Sequence, residues 1–360
     1  MSHLADRLRA AREANHIPTS SLARRVAHSI EEIRANRQRT GRPLGRIEGL
    51  SVGSHSGGSN AGRPSGSAED GTASTSDERI AFVVDSCCDV PESYRELFPF
   101  FVAPMTVTYD DGSTYLDGIN ITADEMYARF PDDIPHTSAP TPASVHDAFA
   151  QAAQEGYTHI VGVTISSGLS ASCMVFEQVA CEFPQLKVEV VDSLNIGAGA
   201  GMIAMLAAEM LEAGCSFDEI VREARAVVPR THVFFVVDSL EYLYRGGRVG
   251  SAVYRLGSTL NIRPIITCDE TGRYVVCGKV RGRKKSLAKA VSLARASEVP
   301  GSDVRVLIVD AQAEEEKHEM LAKAATLFPN GETVSDGGHI SPALTVHTGP
   351  GLIGVLVQSI

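Results

Sequence analysis

Short apolar runs that alternate with helical stretches constrain the fold of this chain more than any other feature of its sequence. The runs lie at residues 80–84, 160–165, 188–191, 233–237, 304–309 and 352–357. Between the early runs, apolar residues have helical spacing at residues 144–155, 170–182 and 199–213. Strand–helix alternation of this kind predicts a parallel sheet with helices on both of its faces.

The pattern changes after about residue 228. Residues 262–267 and 273–279 are two further strand candidates, and the short segment between them, around residues 269–272, predicts a β-hairpin. We therefore predict an α/β chain of two domains. A parallel-sheet, Rossmann-like domain would occupy residues 79–228, and a smaller mixed α+β domain would occupy residues 229–360.

The first 78 residues differ from this body in composition and charge. Residues 1–48 contain ten Arg, no Lys and five acidic residues, and they carry a net charge of +5. Residues 49–78 are rich in Gly and Ser and contain almost no large apolar residue, which predicts a flexible linker. We expect residues 1–48 to be a basic arm, helical or disordered, that could contact nucleic acid or an anionic membrane surface.

The rest of the chain is acidic, with a net charge of −13 within a total of −11. An acidic body disfavours nucleic-acid binding by the main fold. No run approaches the ~18 consecutive apolar residues of a membrane span. The seven cysteines include no Cys-x-x-Cys pair, so neither a disulfide framework nor a metal site is predicted. Reduced thiols are typical of the cytoplasm, where we expect the chain to reside.

Three alternate glycines, Gly197, Gly199 and Gly201, resemble part of a dinucleotide-binding loop. The spacing of that loop requires a further glycine at residue 202, which is Met202. We expect close packing of a helix at these glycines instead. Because the chain also lacks a Walker-type phosphate loop, we predict no nucleotide or other cofactor.

Polar and glycine-rich stretches follow apolar runs at four places, residues 85–91, 137–142, 165–170 and 192–197. In an open α/β sheet, ligands bind where the carboxyl ends of strands lead into helices. Hydroxyl groups and the free N–H groups of a helix N-terminus can bind an anion there without a formal positive charge. These stretches together predict an anion site, although each one alone would also serve as a turn or a helix cap.

Two motifs in the second half contain Arg and His. The sequence Arg245-Gly-Gly-Arg248 suits an exposed turn that presents guanidinium groups, or a helix C-cap with solvated charges. His347 precedes a Gly-Pro-Gly turn and could act as the base for Ser167 in a hydrolase. The G-x-S-x-G elbow of such enzymes is missing from the sequence.

Taken together and in this order, the motifs resemble those of the DegV family, whose better understood members are the FakB-type fatty-acid-binding proteins. The resemblance extends from about residue 80 to residue 357. Its motifs are residues 84–91, 137–140, 165–170, 191–193, 240–248, 260–264, 279–281 and 347–351. Two departures are Cys87-Cys88, in place of small residues or threonine, and Ala171-Ser172, in place of the usual Gly-Thr.

The resemblance implies two α/β domains with a long-chain fatty acid buried between them. It assigns the ligand carboxylate to Thr137, Ser138, Ser167, Ser170 and His347. It also implies a separate fatty acid kinase that phosphorylates this carboxylate for phospholipid synthesis. The candidates for docking that kinase are Arg245, Arg248 and Arg281.

The physical chemistry of a fatty acid agrees with these roles. Burial of about fourteen methylenes stabilises a complex by at most about 11 kcal/mol, at ~0.8 kcal/mol for each. The hydroxyls and the histidine would then orient the head group and prevent an unpaired buried carboxylate. We predict a non-catalytic carrier; the alternatives are an acyl-ester hydrolase that uses Ser167 and a regulatory binding protein whose basic arm contacts nucleic acid.

Overall fold

The structure is a computed structural model that describes residues 78–257, 262–328 and 333–360. The predicted arm at residues 1–48 and the predicted linker, apart from residue 78, lie outside the described residues. Glu78–Ile360 belong to one compact unit. No helix within the described ranges is long and apolar enough to cross a membrane.

The elements are numbered in chain order over the described residues. The strands are β1 Ile80–Asp85, β2 Phe100–Ala103, β3 Thr106–Thr108, β4 Thr114–Leu116, β5 His136–Ser138, β6 His159–Thr164, β7 Lys187–Asp192, β8 Thr231–Val236, β9 Ile262–Cys268, β10 Tyr274–Arg281, β11 Val304–Ala311, β12 Thr333–His339 and β13 Leu352–Ser359. The α-helices are α1 Glu92–Leu97, α2 Ala123–Tyr127, α3 Pro142–Gln154, α4 Ser172–Ala180, α5 Ala198–Glu212, α6 Phe217–Val227, α7 Glu241–Arg245, α8 Ser251–Gly257, α9 Arg283–Ala296, α10 Glu314–Leu327 and α11 Pro342–Thr348.

A four-stranded parallel sheet in the order β2-β1-β6-β7 forms the first half of the unit. Strand β1 is apolar up to Asp85 and is buried along its whole length, which suits a strand covered on both faces. Helices α3 and α4 pack against this sheet through Val145, Phe149 and Phe176. Helix α5, most of which is buried, contacts β1 and β6 and also reaches β13 of the second half.

A small antiparallel sheet in the order β4-β3-β5 is formed by the part of the chain between β2 and α3. Each of its strands has three residues, which is too short for a periodic pattern to predict. Thr137 and Ser138 lie within β5, where we expected a loop that follows a strand.

A six-stranded mixed sheet in the order β10-β9-β8-β13-β11-β12 forms the second half. Strands β11 and β12 pair in parallel, and the other neighbours are antiparallel. The two faces of the sheet differ because side chains alternate along each strand. Ile353 and Val355 of β13 join a core with α9 and α10, whereas Gly354 and Leu356 belong to the opposite face.

The predicted α/β fold class is confirmed. The predicted hairpin is β9–β10, and each predicted strand ends within two residues of an observed one. The sequence analysis missed β2 and β12, of which β12 is a polar edge strand. The first sheet gives way to the second after α6, close to the predicted boundary at residue 228. Since Glu78–Ile360 form one compact unit, the division into two domains stays a prediction.

Candidate functional site

Two adjoining cavities are lined by residues from both halves of the unit. The head cavity has a volume of about 460 Å³ and is lined by Cys87, Met105, Thr137, Ser138, Ala139, Ile165, Leu169, Ser170, Ile196, Arg248, Tyr274, Ala343, Leu344, His347 and Thr348. The tail cavity has a volume of about 370 Å³ and is lined by Ile196, Gly197, Ala198, Val233, Phe235, Tyr274, Val309, Ile340, Leu344, Thr348, Leu352, Gly354 and Leu356. Four of these residues border both cavities, so a polar space continues into an apolar one.

A hydrogen bond between Thr137 and His347 crosses the head cavity. Thr137 Oγ1 and His347 Nε2 are 2.7 Å apart, although the two residues are 210 positions apart in the chain. Thr137 comes from β5 and His347 from α11. The structure therefore brings together two residues that the motifs assign to one site.

The ring of His347 is partly buried and neutral. Burial lowers the pKa of His347 to about 3, and the positive charges of Arg248 and His136 shift it in the same direction. The ring packs against Gly246, where a Cβ atom would overlap Nδ1 of the histidine. This close approach is the physical reason for a glycine at position 246.

Arg248 does not lie on an exposed turn, in contrast to the expectation from its motif. Its guanidinium group borders the head cavity. There Nη1 donates to the carbonyl of Gly246 at 2.5 Å, and Nη2 donates to the carbonyl of Leu169 at 3.2 Å. The head cavity consequently contains a formal positive charge, whereas the sequence predicted an anion site of neutral donors alone.

The other two predicted docking arginines lie at the surface. Arg245 is exposed and forms an ion pair with Glu241 of the same helix at 2.7 Å. Arg281 is exposed at the end of β10, the edge strand of the second sheet. Neither residue borders the head or the tail cavity.

The serines of residues 165–170 have different environments. Ser170 borders the head cavity, and its hydroxyl is 2.9 Å from that of Ser172. Ser166 is buried and donates to the carbonyl of Gly272 at 2.9 Å. Ser167 is exposed and borders neither cavity. The predicted contact between Ser167 and a ligand carboxylate is therefore corrected, because this side chain faces solvent.

Buried carboxylates hold the start of α11, the helix that carries the histidine. Asp117 Oδ1 accepts a hydrogen bond from the N–H of Ala343 at 2.9 Å, and its Oδ2 accepts one from Ser86 Oγ at 2.6 Å. Asp89 Oδ1 accepts from the N–H of Ser341 at 3.1 Å. These contacts satisfy N–H groups that a helix start leaves free.

The carboxyl groups of Asp85, Asp89 and Asp117 have pKa values above the ordinary range of an aspartate. Burial raises the pKa of Asp85 to about 7, although the N–H groups of Ile165 and Cys87 donate to it and oppose the shift. Burial also raises the pKa of Asp89 and of Asp117. The fold itself thus uses the carboxyl groups of residues 85–91, although Asp89 Oδ2 is buried without a hydrogen-bond partner. Of this stretch, Cys87 alone borders the head cavity.

The polar side chains of residues 192–197 also form hydrogen bonds within the fold. Asp192 Oδ1 accepts from the N–H groups of Ser167 and Leu194, at 3.1 and 3.0 Å. The glycines that follow pack closely, as predicted, since a Cβ atom at Gly201 would overlap the carbonyl of Cys88. Of the four polar stretches in the sequence, residues 137–142 and 165–170 supply hydroxyls to the head cavity.

All seven cysteines are free thiols. Burial, together with the charge of Asp117, raises the pKa of the Cys87 thiol well above its usual value, so this thiol stays protonated. Among the described residues, no group of His, Cys, Asp and Glu is arranged to hold a metal ion.

The tail cavity is the part of the site that sequence reasoning missed. Its walls come from β8, β11 and β13 and from the start of α5. Val233, Phe235 and Leu356 are buried apolar residues, and nothing in the sequence distinguishes them from residues of an ordinary core. One available signal was Gly354, since glycine in the interior of a strand often marks a close approach.

Residues 79–359 match the family model of the uncharacterised proteins of the DegV family. A DegV domain-containing protein of Clostridium acetobutylicum is 35% identical to this chain over 280 residues, which cover 78% of this chain and 99% of the relative.

Solved structures extend this similarity. A DegV family protein from Thermus thermophilus, described by its fatty acid binding, has 30% sequence identity and a TM-score of 0.71, over 78% of this chain and all of that one. A stearic-acid-binding protein from Eubacterium ventriosum has 27% identity and a TM-score of 0.69, over 78% of this chain and 98% of that one.

Proposed function

Because the chain belongs to the DegV family, we propose that it is a carrier that binds a long-chain fatty acid without transforming it. The carboxylate lies in the head cavity and the acyl chain lies in the tail cavity. The observation that carries this proposal is the continuity of the two cavities across Ile196, Tyr274, Leu344 and Thr348. The described ligands of the Thermus and Eubacterium relatives support it.

The head cavity has the donors that a carboxylate requires. Ser138 and Ser170 contribute hydroxyls and Arg248 contributes a positive charge. When the neutral ring of His347 carries its proton on Nε2, it donates to Thr137 Oγ1 and leaves the threonine hydroxyl free to donate to the ligand. In this proposal, the carboxylate is bound by Thr137, Ser138, Ser170 and Arg248, and His347 orients the threonine.

The tail cavity suits an acyl chain because its lining is apolar apart from Thr348 and the hydroxyl of Tyr274. Each methylene transferred from water contributes about 0.8 kcal/mol. Most of the affinity consequently comes from the tail, and the head cavity decides which end of the ligand enters first.

We further propose that a separate fatty acid kinase takes the carboxylate as its substrate and docks on exposed arginines. Arg245 and Arg281 remain candidates for this contact because both are exposed. Arg248 is assigned to the ligand instead, since it borders the head cavity. In this proposal the ligand lies between the predicted domains at residues 79–228 and 229–360.

Native mass spectrometry of the purified chain tests the proposal. We expect an adduct with the mass of a long-chain fatty acid, which disappears on delipidation and returns when oleic or stearic acid is added. A delipidated protein that is folded by circular dichroism but binds neither acid contradicts the carrier function.

The described residues do not have the arrangement of serine and histidine that an acyl-ester hydrolase requires. The exposed Ser167 forms no side-chain hydrogen bond to a histidine among the described residues, and His347 Nε2 contacts Thr137 instead. We expect no ester turnover above background. Turnover that Ser167→Ala abolishes would overturn this expectation.

A further inference from the structure

The tail cavity contains a glycine in the interior of a strand, at a position where the backbone conformation does not require one. Gly354 lies in β13, which has β8 and β11 as neighbours on its two sides. Glycine in a strand interior weakens the strand, and it often marks a place where a ligand or another backbone approaches closely. The φ angle of Gly354 is outside the positive range, so the backbone conformation would accept other residues.

The missing side chain leaves space in the cavity wall. Gly354 pairs with Phe235 of β8 and Val309 of β11, and all three border the tail cavity. A Cβ atom at Gly354 would lie 2.7 Å from Val309 Cγ2. Even one added carbon therefore has to displace Val309 or occupy space that the cavity now provides.

The small residues that line the tail cavity at the start of α5 have a different explanation. Gly197, before the start of α5, has a φ of 60°, a conformation that itself favours glycine. Ala198 follows it as the first residue of the helix. The backbone conformation therefore explains the glycine at position 197 but not the one at position 354.

Gly354 lies beyond the residues that the two cavities share. It borders the tail cavity but not the head cavity, unlike Tyr274 and Leu344, which border both. An acyl chain whose carboxylate is in the head cavity thus passes Tyr274 and Leu344 before it reaches Gly354.

We propose that Gly354 determines the longest acyl chain that the protein accepts. The inference rests on the proposed carrier function and adds to it a residue that sets the substrate class. Each methylene that a new side chain excludes should weaken binding by about fourfold. Gly354→Ala should therefore weaken the longest accepted chain by about fourfold, and Gly354→Val by about 50-fold, while shorter chains keep their affinity.

Dissociation constants for the saturated fatty acids from decanoic to icosanoic acid test this proposal. They are measured for the delipidated wild type, Gly354→Ala and Gly354→Val by competition with a fluorescent fatty acid. We expect the length of the tightest ligand to decrease from wild type to Ala to Val. In the opposite direction, Val309→Ala should strengthen binding of the longest acids.

Gly162→Ala is the matched control. Gly162 is a buried glycine of β6 that borders neither cavity, and a Cβ atom there would make an ordinary contact, 3.4 Å from Phe176. This variant should keep the wild-type length profile.

Three outcomes count against the inference or its premise. If the wild type binds none of the acids, the carrier function itself fails. If the wild type binds but Gly354→Ala keeps its length profile or weakens every length equally, the role of Gly354 is overturned. If the Gly354 variants do not fold, an unchanged profile for Val309→Ala overturns it.

Discussion

The head cavity and the tail cavity are built in opposite ways. The head cavity collects polar side chains from separate elements, such as β5 and α11, and hydrogen bonds with defined distances join them. The tail cavity is largely one face of a single sheet, covered by the start of α5. Hydrogen bonds are directional, whereas apolar burial depends on area. In the proposed carrier, a few atoms therefore determine where the ligand begins, and the volume of the tail cavity determines how much of it is accepted.

This difference predicts different responses to substitution. A change in the head cavity should weaken fatty acids of every length by the same factor, because every ligand has the same carboxylate. A change in the tail cavity should weaken long acids and spare short ones, because short acids do not reach it.

The largest effect is expected for Ala198→Phe. Ala198 is a buried residue of the tail cavity, and a benzyl group there excludes about four methylenes, which corresponds to about 3 kcal/mol or more than 100-fold in affinity. Thermal stability should be maintained, since the new ring fills a cavity. Competition binding with stearic acid, compared with decanoic acid as the internal control, measures the effect. Equal losses for the two acids would contradict a purely apolar role for this space.

Thr137→Val should have a smaller effect that does not depend on chain length. It removes the hydroxyl that is 2.7 Å from His347 Nε2 and that is proposed to donate to the ligand carboxylate, so the bound carboxylate loses one donor. A loss of this kind costs about 1–3 kcal/mol, so we expect affinity to fall about 30-fold at the midpoint for every acid in the series. Thr137→Ser keeps the hydroxyl and is the control. A loss confined to long acids would show that the assignment of head and tail is wrong.

Arg248→Gln separates ligand binding from partner docking. Removal of a half-buried guanidinium should weaken the binding of fatty acids by about tenfold and reduce the dependence of this affinity on salt. Arg245→Gln is the matched control, since Arg245 is exposed and borders neither cavity, and it should keep full affinity. Titrations at low and high ionic strength distinguish the two variants. If the two variants bound fatty acids equally well, Arg248 would have no role in ligand binding at the head cavity.

The last prediction concerns the pH dependence of stability and not the affinity for a ligand. The folded pKa of His347 is about 3, against 6.5 for an ordinary histidine. Below about pH 6.5 the unfolded chain therefore binds a proton that the folded chain does not. The free energy of unfolding is unaffected above this pH and falls as the pH decreases towards 3.

We expect His347→Gln to lose melting temperature less steeply than the wild type between about pH 7 and pH 4. Asp85 acts in the opposite direction, because its raised pKa of about 7 gives a stabilising contribution that is lost as the pH rises from about 4 to 7. Both proteins contain Asp85, so the difference between their melting curves isolates the histidine. Parallel curves would contradict a neutral His347.

Part of the head cavity could be predicted because the resemblance to the DegV family assigned Thr137, Ser138, Ser170 and His347 to one site. The structure brings all four to one cavity. Ser167 was assigned together with them but faces solvent. Adjacent residues of a turn point in different directions, and no spacing in the sequence distinguishes them.

The tail cavity could not be predicted for a different reason. Val233, Phe235 and Leu356 alternate along their strands in the same way as the residues of the core on the other face of the sheet. Periodicity shows that a side chain is buried, but it does not show whether protein or ligand fills the space beside it.

The sequence by itself determined the α/β class, the start of the body near residue 79 and the polar residues that the proposed carboxylate site requires. These features could be read from the sequence because periodicity, composition and motif order are properties of the chain itself. Only the tertiary structure decided that Arg248 enters the head cavity, that carboxylates from two loops hold α11, and that one face of the second sheet is left open as the tail cavity. Each of these depends on contacts between residues far apart in the sequence, which are set by how the two sheets pack and not by any local pattern.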